Sequence, residues 1–179
     1  VSEASFNPGR ILTVLDEHEV EYILVGGLGA RAHGALRPTN DIDCVPEGGL
    51  ANLGRLAEAL SELGARLRVG GMTDDEARRL PVQLDAETLR SFGSSTWMTD
   101  AGPIDVLREL RDRHGGDVPF DALRDRGTDQ EIGGVVVRVA GLDDIIAAKE
   151  FAGRDKDHEA LPELRELRDT REGQAAEED

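Results

Sequence analysis

Tyr22-Ile23-Leu24-Val25 is a continuous apolar run that stops at Gly26-Gly27. A strand that is apolar on both faces needs cover above and below its sheet, so this run calls for a layered domain with helices packed on strands. The segments around it agree. Ile11, Leu12, Val14 and Leu15 sit at helical spacing behind Pro8, a favourable helix starter. Leu28 to Ala35 predicts a short helix. Pro38 and Asn40 interrupt it, and Asp41 to Val45 reads as a second strand. Leu50 to Leu63 predicts an amphipathic helix, with Leu53, Leu56, Ala57, Leu60 and Leu63 on one side and Gly64 to stop it.

Further along, Ala65 to Val69 reads as a strand, and Gly70 to Arg90 has no clear period. Thr96 to Thr99 and Ile104 to Leu107 predict two strands around an Ala101-Gly102 turn. Ile132 to Val139, broken by Gly133-Gly134, fits a hairpin or one late strand. Asp143 to Gly153 predicts a helix, and a last helix carries Leu161, Leu164 and Leu167. Pro162 fits that helix in its first turn, or else kinks it. The order of elements is that of an α/β (α+β) fold, with a mixed-sheet core over residues 1–140 and helices packed on it over 141–171. Residues 172–179 are acidic and lack apolar periodicity, so we expect a disordered tail there.

At 179 residues the chain has room for one ordinary domain, and we see neither an internal repeat nor a long linker. No apolar run is long enough to span a membrane, and Val1 to Arg10 is polar, without a signal-peptide core. The single cysteine, Cys44, has no internal disulfide partner, so the expected setting is a reducing cytoplasm. The net charge of −16 argues against a protein that coats DNA through neutralised phosphates, but leaves room for an enzyme that touches one nucleic-acid end through a local basic patch. Solubility is its simplest meaning, and it is compatible with metal ions or a basic partner protein.

Asp41 and Asp43 are the first candidates for chemistry. Side chains repeat every second residue in a strand, so both carboxylates face one way, with their Cα atoms roughly 6.6 Å apart. Such a pair can hold one or two divalent cations, Mg2+ (or Mn2+) being the natural guest. The spacing alone equally fits a solvated strand edge or an aspartate capping the next turn. Gly26-Gly27, taken singly, fits a plain tight turn. At the exit of a buried strand and before a helix, however, glycines permit close backbone approach to a phosphate. Strand, double glycine, helix and a strand with paired aspartates together form a much more specific pattern.

Asp105, within Pro103-Ile104-Asp105-Val106-Leu107, is costly to bury alone. Beside the other two it completes a metal site and supplies a proton acceptor for an attacking hydroxyl. Facing water at a strand end is its alternative. Arg37 flanks the glycine turn and can pair with phosphate oxygens. Lys149 shares a helix face with Ile145 and Ile146, which turns its amine toward a cleft or leaves it at the rim of the core. Arg31 reads as a surface residue, and His33, Trp97 and Cys44 as structural ones.

The string from Val25 to Asp43, VGGLGARAHGALRPTNDID, resembles the nucleotidyltransferase superfamily of the DNA polymerase β type. Within it the string is similar to the AbiEii-like and MenT-like toxins of bacterial toxin–antitoxin pairs. Thr99-Asp100-Ala101-Gly102-Pro103-Ile104-Asp105 and the late Lys149 with Gly153-Arg154-Asp155-Lys156-Asp157 extend the similarity to about Tyr22–Leu167. The resemblance implies metal-dependent transfer of a nucleoside monophosphate from an NTP, with pyrophosphate released. Asp41 and Asp43 would hold metal and triphosphate, with Asp105 activating the acceptor and Lys149 holding phosphates, beside Gly26, Gly27, Arg37 and Thr39.

For the toxin relatives the acceptor is the 3′ end of tRNA, the outcome is blocked translation, and the partner is a cognate antitoxin. Alternatives are an AMP-adding enzyme that modifies a protein, a small-molecule nucleotidyltransferase, and a non-catalytic binding protein that kept the fold. The small size speaks against a second domain for an antibiotic. Leu28 departs from the usual Gly-Gly-Ser, removing one hydroxyl contact, while Thr39 offers another two residues before Asp41. Phosphorylation of Thr39 is expected to inactivate the enzyme by setting about −2 charge beside the aspartates.

Overall fold

The computed structural model describes residues 6–77 and 79–178. In chain order its elements are α1 (Pro8–Glu17), β1 (Tyr22–Val25), α2 (Gly26–Ala32), β2 (Ile42–Pro46), α3 (Leu50–Glu62), β3 (Arg66–Leu67), α4 (Asp74–Ala77), α5 (Ala86–Phe92), β4 (Ser95–Thr99), β5 (Gly102–Val106), β6 (Leu110–Arg111), β7 (Asp117–Val118), α6 (Phe120–Arg126), β8 (Thr128–Ile132), β9 (Val135–Val139), α7 (Leu142–Ala152) and α8 (Asp155–Glu178). Seven strands form one mixed sheet in the order β3-β4-β5-β2-β1-β9-β8, and β6 pairs with β7 in a separate ribbon. Strand β1 is antiparallel to β2 and parallel to β9, while the central strand β2 also runs parallel to β5.

Strand alternation sends the side chains of this sheet into two apolar clusters. Leu24, Ile42, Cys44, Ile104 and Trp97 pack on one face with Ile11, Leu15, Leu56 and Leu60 from α1 and α3. Ile23, Val25 and Val45 pack on the other with Leu123 of α6, Ile145 and Ile146 of α7, and Leu161 and Leu164 of α8. Each of these buried aliphatic side chains contributes about 1.5–3 kcal/mol relative to exposure. Asn7 caps α1, its side chain accepting from the Arg10 N–H. No helix is long and apolar enough to cross a membrane among the described residues.

Several expectations are refined. The helix expected from Leu28 begins at Gly26, directly at the end of β1, because Gly26 takes a φ of +61° and turns the chain without a loop. Asp41 stands immediately before β2 rather than inside it. Ile132 to Val139 contributes the turn and second arm of the β8–β9 hairpin, closed through Gly133 and Gly134 at positive φ. Pro162 lies well inside α8, beyond the first turn. The N–H it lacks would have reached the carbonyl of His158, an exposed residue. The backbone stays helical through Glu178, where a disordered tail was expected from residue 172, and Asp179 lies outside the described residues. The short β6–β7 ribbon and α6 carry no periodic signal and were not expected.

Candidate active site

Asp43 sits opposite Asp105 in the parallel pairing of β2 with β5. Adjacent strands lie about 4.8 Å apart, so this register alone brings the two carboxylates together. Asp41 joins them from the residue before β2, and one carboxylate oxygen from each of the three lies within 4.8 Å of the others. Because Ile42 and Cys44 fill the core on the far face, the aspartates turn toward the side covered by α7 and α8. Burial, then the charges of Asp41 and Asp105, push the Asp43 carboxyl up to about 6, against the N–H of Gly27 and the charge of Lys156. A group held so far above its ordinary range among other carboxylates is a site suited to a cation.

The glycines fit this cluster as a matter of space. A Cβ on Gly26 would stand 1.8 Å from Oδ2 of Asp43, and one on Gly27 would stand 2.5 Å from Oγ1 of Thr39. Only glycine lets the end of β1 close over the aspartates. Thr39 donates its hydroxyl to Oδ1 of Asp41 at 2.8 Å, which orients that carboxylate. Leu28, at the position where the resembling family has serine, points from α2 into the core.

These residues line a cleft of about 580 Å³ between the sheet and the C-terminal helices, a size ordinary for a small-molecule or cofactor site. All the predicted site residues border it: Gly26, Gly27, Arg37, Thr39, Asp41, Asp43, Asp105 and Lys149. Two of the predicted cations are engaged within the protein. Arg37 pairs with Glu159 of α8 at 2.8 Å. The amine of Lys149 donates to Oδ1 of Asp157 at 3.2 Å. Asp157 is fully buried and also accepts from Nε of Arg154 at 2.6 Å. Burial raises its carboxyl, and the bonds from Arg154 and Lys149 more than offset this, so it lies below the usual range.

Arg154, Lys156, Glu109 and Arg111 also line the cleft, and no role was read for them in the sequence. The signal was present in Gly153-Arg154-Asp155-Lys156-Asp157, where Gly153 ends α7 at a φ of +58°. What it lacked was the distance between α7 and α8. His33 is structural, as expected: its Nε2–H donates to the carbonyl of Ala140 at 2.7 Å, and Arg171 donates to its Nδ1 at 2.9 Å. Cys44 and Trp97 are buried in the core. Arg31 is exposed and ties down the carbonyls of Leu36 and Arg37.

No protein-family profile matches the chain, and no curated protein matches its sequence. Solved structures do match its shape. A lincosamide antibiotic adenylyltransferase, LnuA, solved with lincomycin bound, superposes with a TM-score of 0.59 at 13% identity, covering 91% of this chain and 99% of that one. The antibiotic-resistance factor ANT(2″)-Ia, solved with adenylyl-2″-tobramycin, matches with a TM-score of 0.53 at 17% identity, over 93% and 95% of the two chains. A Thermotoga maritima protein described as a nucleotidyltransferase matches at 0.52 and 15% identity, over 88% and 89%. The chain has the fold of these nucleotidyltransferases.

Proposed function

We propose that this chain is a metal-dependent nucleotidyltransferase that moves a nucleoside monophosphate from an NTP to a hydroxyl. The observation that carries the reading is the cluster of Asp41, Asp43 and Asp105 closed over by Gly26 and Gly27. The donor set fits Mg2+ or Mn2+. It is all oxygen, and oxygens sharing one such ion lie up to about 4.2 Å apart, close to the spread seen here. A bound cation would neutralise the triphosphate and the charge that develops on the leaving group.

The protein's own residues do the rest. Asp41, oriented by Thr39, and Asp43 would hold the cation, with Asp105 beside them. Asp105 also takes the proton of the acceptor hydroxyl as its oxygen attacks the α-phosphorus. The bond from that phosphorus to the bridging β-oxygen breaks, and pyrophosphate leaves. Gly26 and Gly27 let the nucleotide approach the backbone, and Arg37 and Thr39 border the same wall. Positioning and charge neutralisation account for most of the catalysis in such in-line transfer.

The acceptor has two readings. The first is the 3′ end of tRNA, with the chain acting as the toxin of a toxin–antitoxin pair and a cognate antitoxin as partner. The likeness of Val25–Asp43 to the toxin relatives supports it. The second is a small hydroxylated molecule. Ion pairing of Arg37 and Arg111 at the rim favours it, since neither offers a free charge to an RNA backbone. Length is no obstacle to the second, because this chain spans 99% of the lincosamide adenylyltransferase.

Labelled NTPs incubated with bulk tRNA, with lysate protein and with hydroxylated small molecules separate these readings. Label on tRNA, lost in Asp41→Ala, supports the first; label on a small molecule supports the second. Label on protein points to a protein-modifying enzyme instead. No transfer to any acceptor, with Asp41→Ala behaving like the parent chain, would refute the enzymatic reading.

A further inference from the structure

Five cations line the cleft: Arg37, Arg111, Lys149, Arg154 and Lys156. Four are engaged. Arg37 is paired with Glu159, Arg111 with Glu109 and Asp117, and Lys149 and Arg154 both with Asp157. Lys156 is the one cleft cation that makes no hydrogen bond or ion pair among the described residues. It is exposed, in the first turn of α8, between Arg154 and the buried Asp157.

We propose that Lys156 is the side chain that meets the triphosphate, and that Lys149 is a positioning residue, holding Asp157 so that the first turn of α8 presents Lys156 to the aspartate cluster. This rests on the nucleotidyltransferase reading and assigns one of its roles. Diverting Lys149 to a phosphate would strip a donor from a carboxylate that has no access to water, which is strongly unfavourable. Lys156 gives up only its own hydration. A lysine acts on phosphate as a mobile point charge, without the fixed fork that an arginine needs.

Calorimetric titration of the full chain with ATP, CTP, GTP and UTP, each with Mg2+, tests this, with inorganic tripolyphosphate as a base-free probe. For the tightest-binding nucleotide, Lys156→Ala should weaken Kd by roughly 10- to 100-fold, the range of a hydrogen bond to a charged group. The same loss should appear with tripolyphosphate, the melting temperature of the free protein should hold, and Lys156→Arg should recover part of the affinity. Lys149→Ala should lower the melting temperature of the free protein. Unchanged triphosphate binding by Lys156→Ala overturns the assignment. So does Lys149→Ala losing affinity with its melting temperature intact, which returns the phosphate to Lys149. If the parent chain binds none of the four nucleotides, the nucleotidyltransferase reading itself fails and takes this assignment with it.

Discussion

Replacing Asp43 by asparagine should make the metal-free protein more stable at about pH 8 while leaving it nearly unchanged at about pH 4. Burial, reinforced by Asp41 and Asp105, lifts this carboxyl from an ordinary 3.8 to about 6. The folded chain therefore keeps a proton that the unfolded chain has already lost. Its stabilising contribution is fully present below pH 3.8 and disappears as pH rises through about 6. A difference of about 2 in pKa, at about 1.4 kcal/mol for each, amounts to about 3 kcal/mol of stability lost from this one group. At about 2–4 °C per kcal/mol for a chain of this length, the melting temperature should drop by about 6–12 °C across that range on account of Asp43.

Asparagine keeps an acceptor for the Gly27 N–H and carries no charge, so this part of the slope should vanish in the variant. Thermal unfolding of both proteins, followed by circular dichroism in chelator across that pH range, reads the difference directly. Saturating Mg2+ should then raise the melting temperature of the parent chain at about pH 8 and leave the variant almost unaffected. Parallel pH profiles for the two proteins, or a variant less stable than its parent at about pH 8, would refute the reasoning.

Gly26→Ala places a Cβ against Asp43 at a φ of +61°, so transfer activity should fall by about 100-fold or more and stability by about 1–3 kcal/mol, checked by turnover and thermal melts. Thr39→Glu sets a negative charge beside Asp41 and crowds the glycine turn, and should abolish transfer as phosphorylation of Thr39 would; full activity in this variant would sink that idea. Burial, with the Arg171 guanidinium also opposing a second proton, holds His33 below its ordinary 6.5 although its bond to Ala140 works the other way. The stability this depressed pKa confers is present above pH 6.5 and lost as pH falls below it, so the protection factors of the α8 amides, corrected for the intrinsic exchange rate at each pH, should fall on acidification, and less steeply in His33→Gln.

The parts of the fold legible in the sequence are those whose side chains carry a period. The α1 and α3 stripes, the apolar β1 run and the β4–β5 hairpin each declare their buried face within a few residues. The start of α2 was misplaced because a double glycine looks like a turn, whereas here Gly26 bends the chain straight into a helix. The β6–β7 ribbon has two residues per strand, too few for any period to show. Asp41 and Asp43 were readable as a pair from spacing. That Asp105 joins them depends on β5 lying beside β2, a fact of strand order rather than of local pattern. Lys149 lines the cleft, one of the placements its helix face left open, yet its engagement was hidden, since Asp157 lies beyond Gly153 on the next helix.

The contact between Gly26 and Asp43 also governs how this sequence can drift. Every replacement of a glycine adds a Cβ, and at position 26 that atom has nowhere to go while the aspartate keeps its place. Gly54, in the middle of α3, has nothing within 4 Å of the same added atom, and alanine there would even improve the helix by about 1 kcal/mol. Two glycines in one chain thus stand at opposite ends of mutational freedom. One sits on a plateau of tolerated alternatives; the other is an isolated point in sequence space, from which any single step gives up either the turn or the carboxylate beneath it.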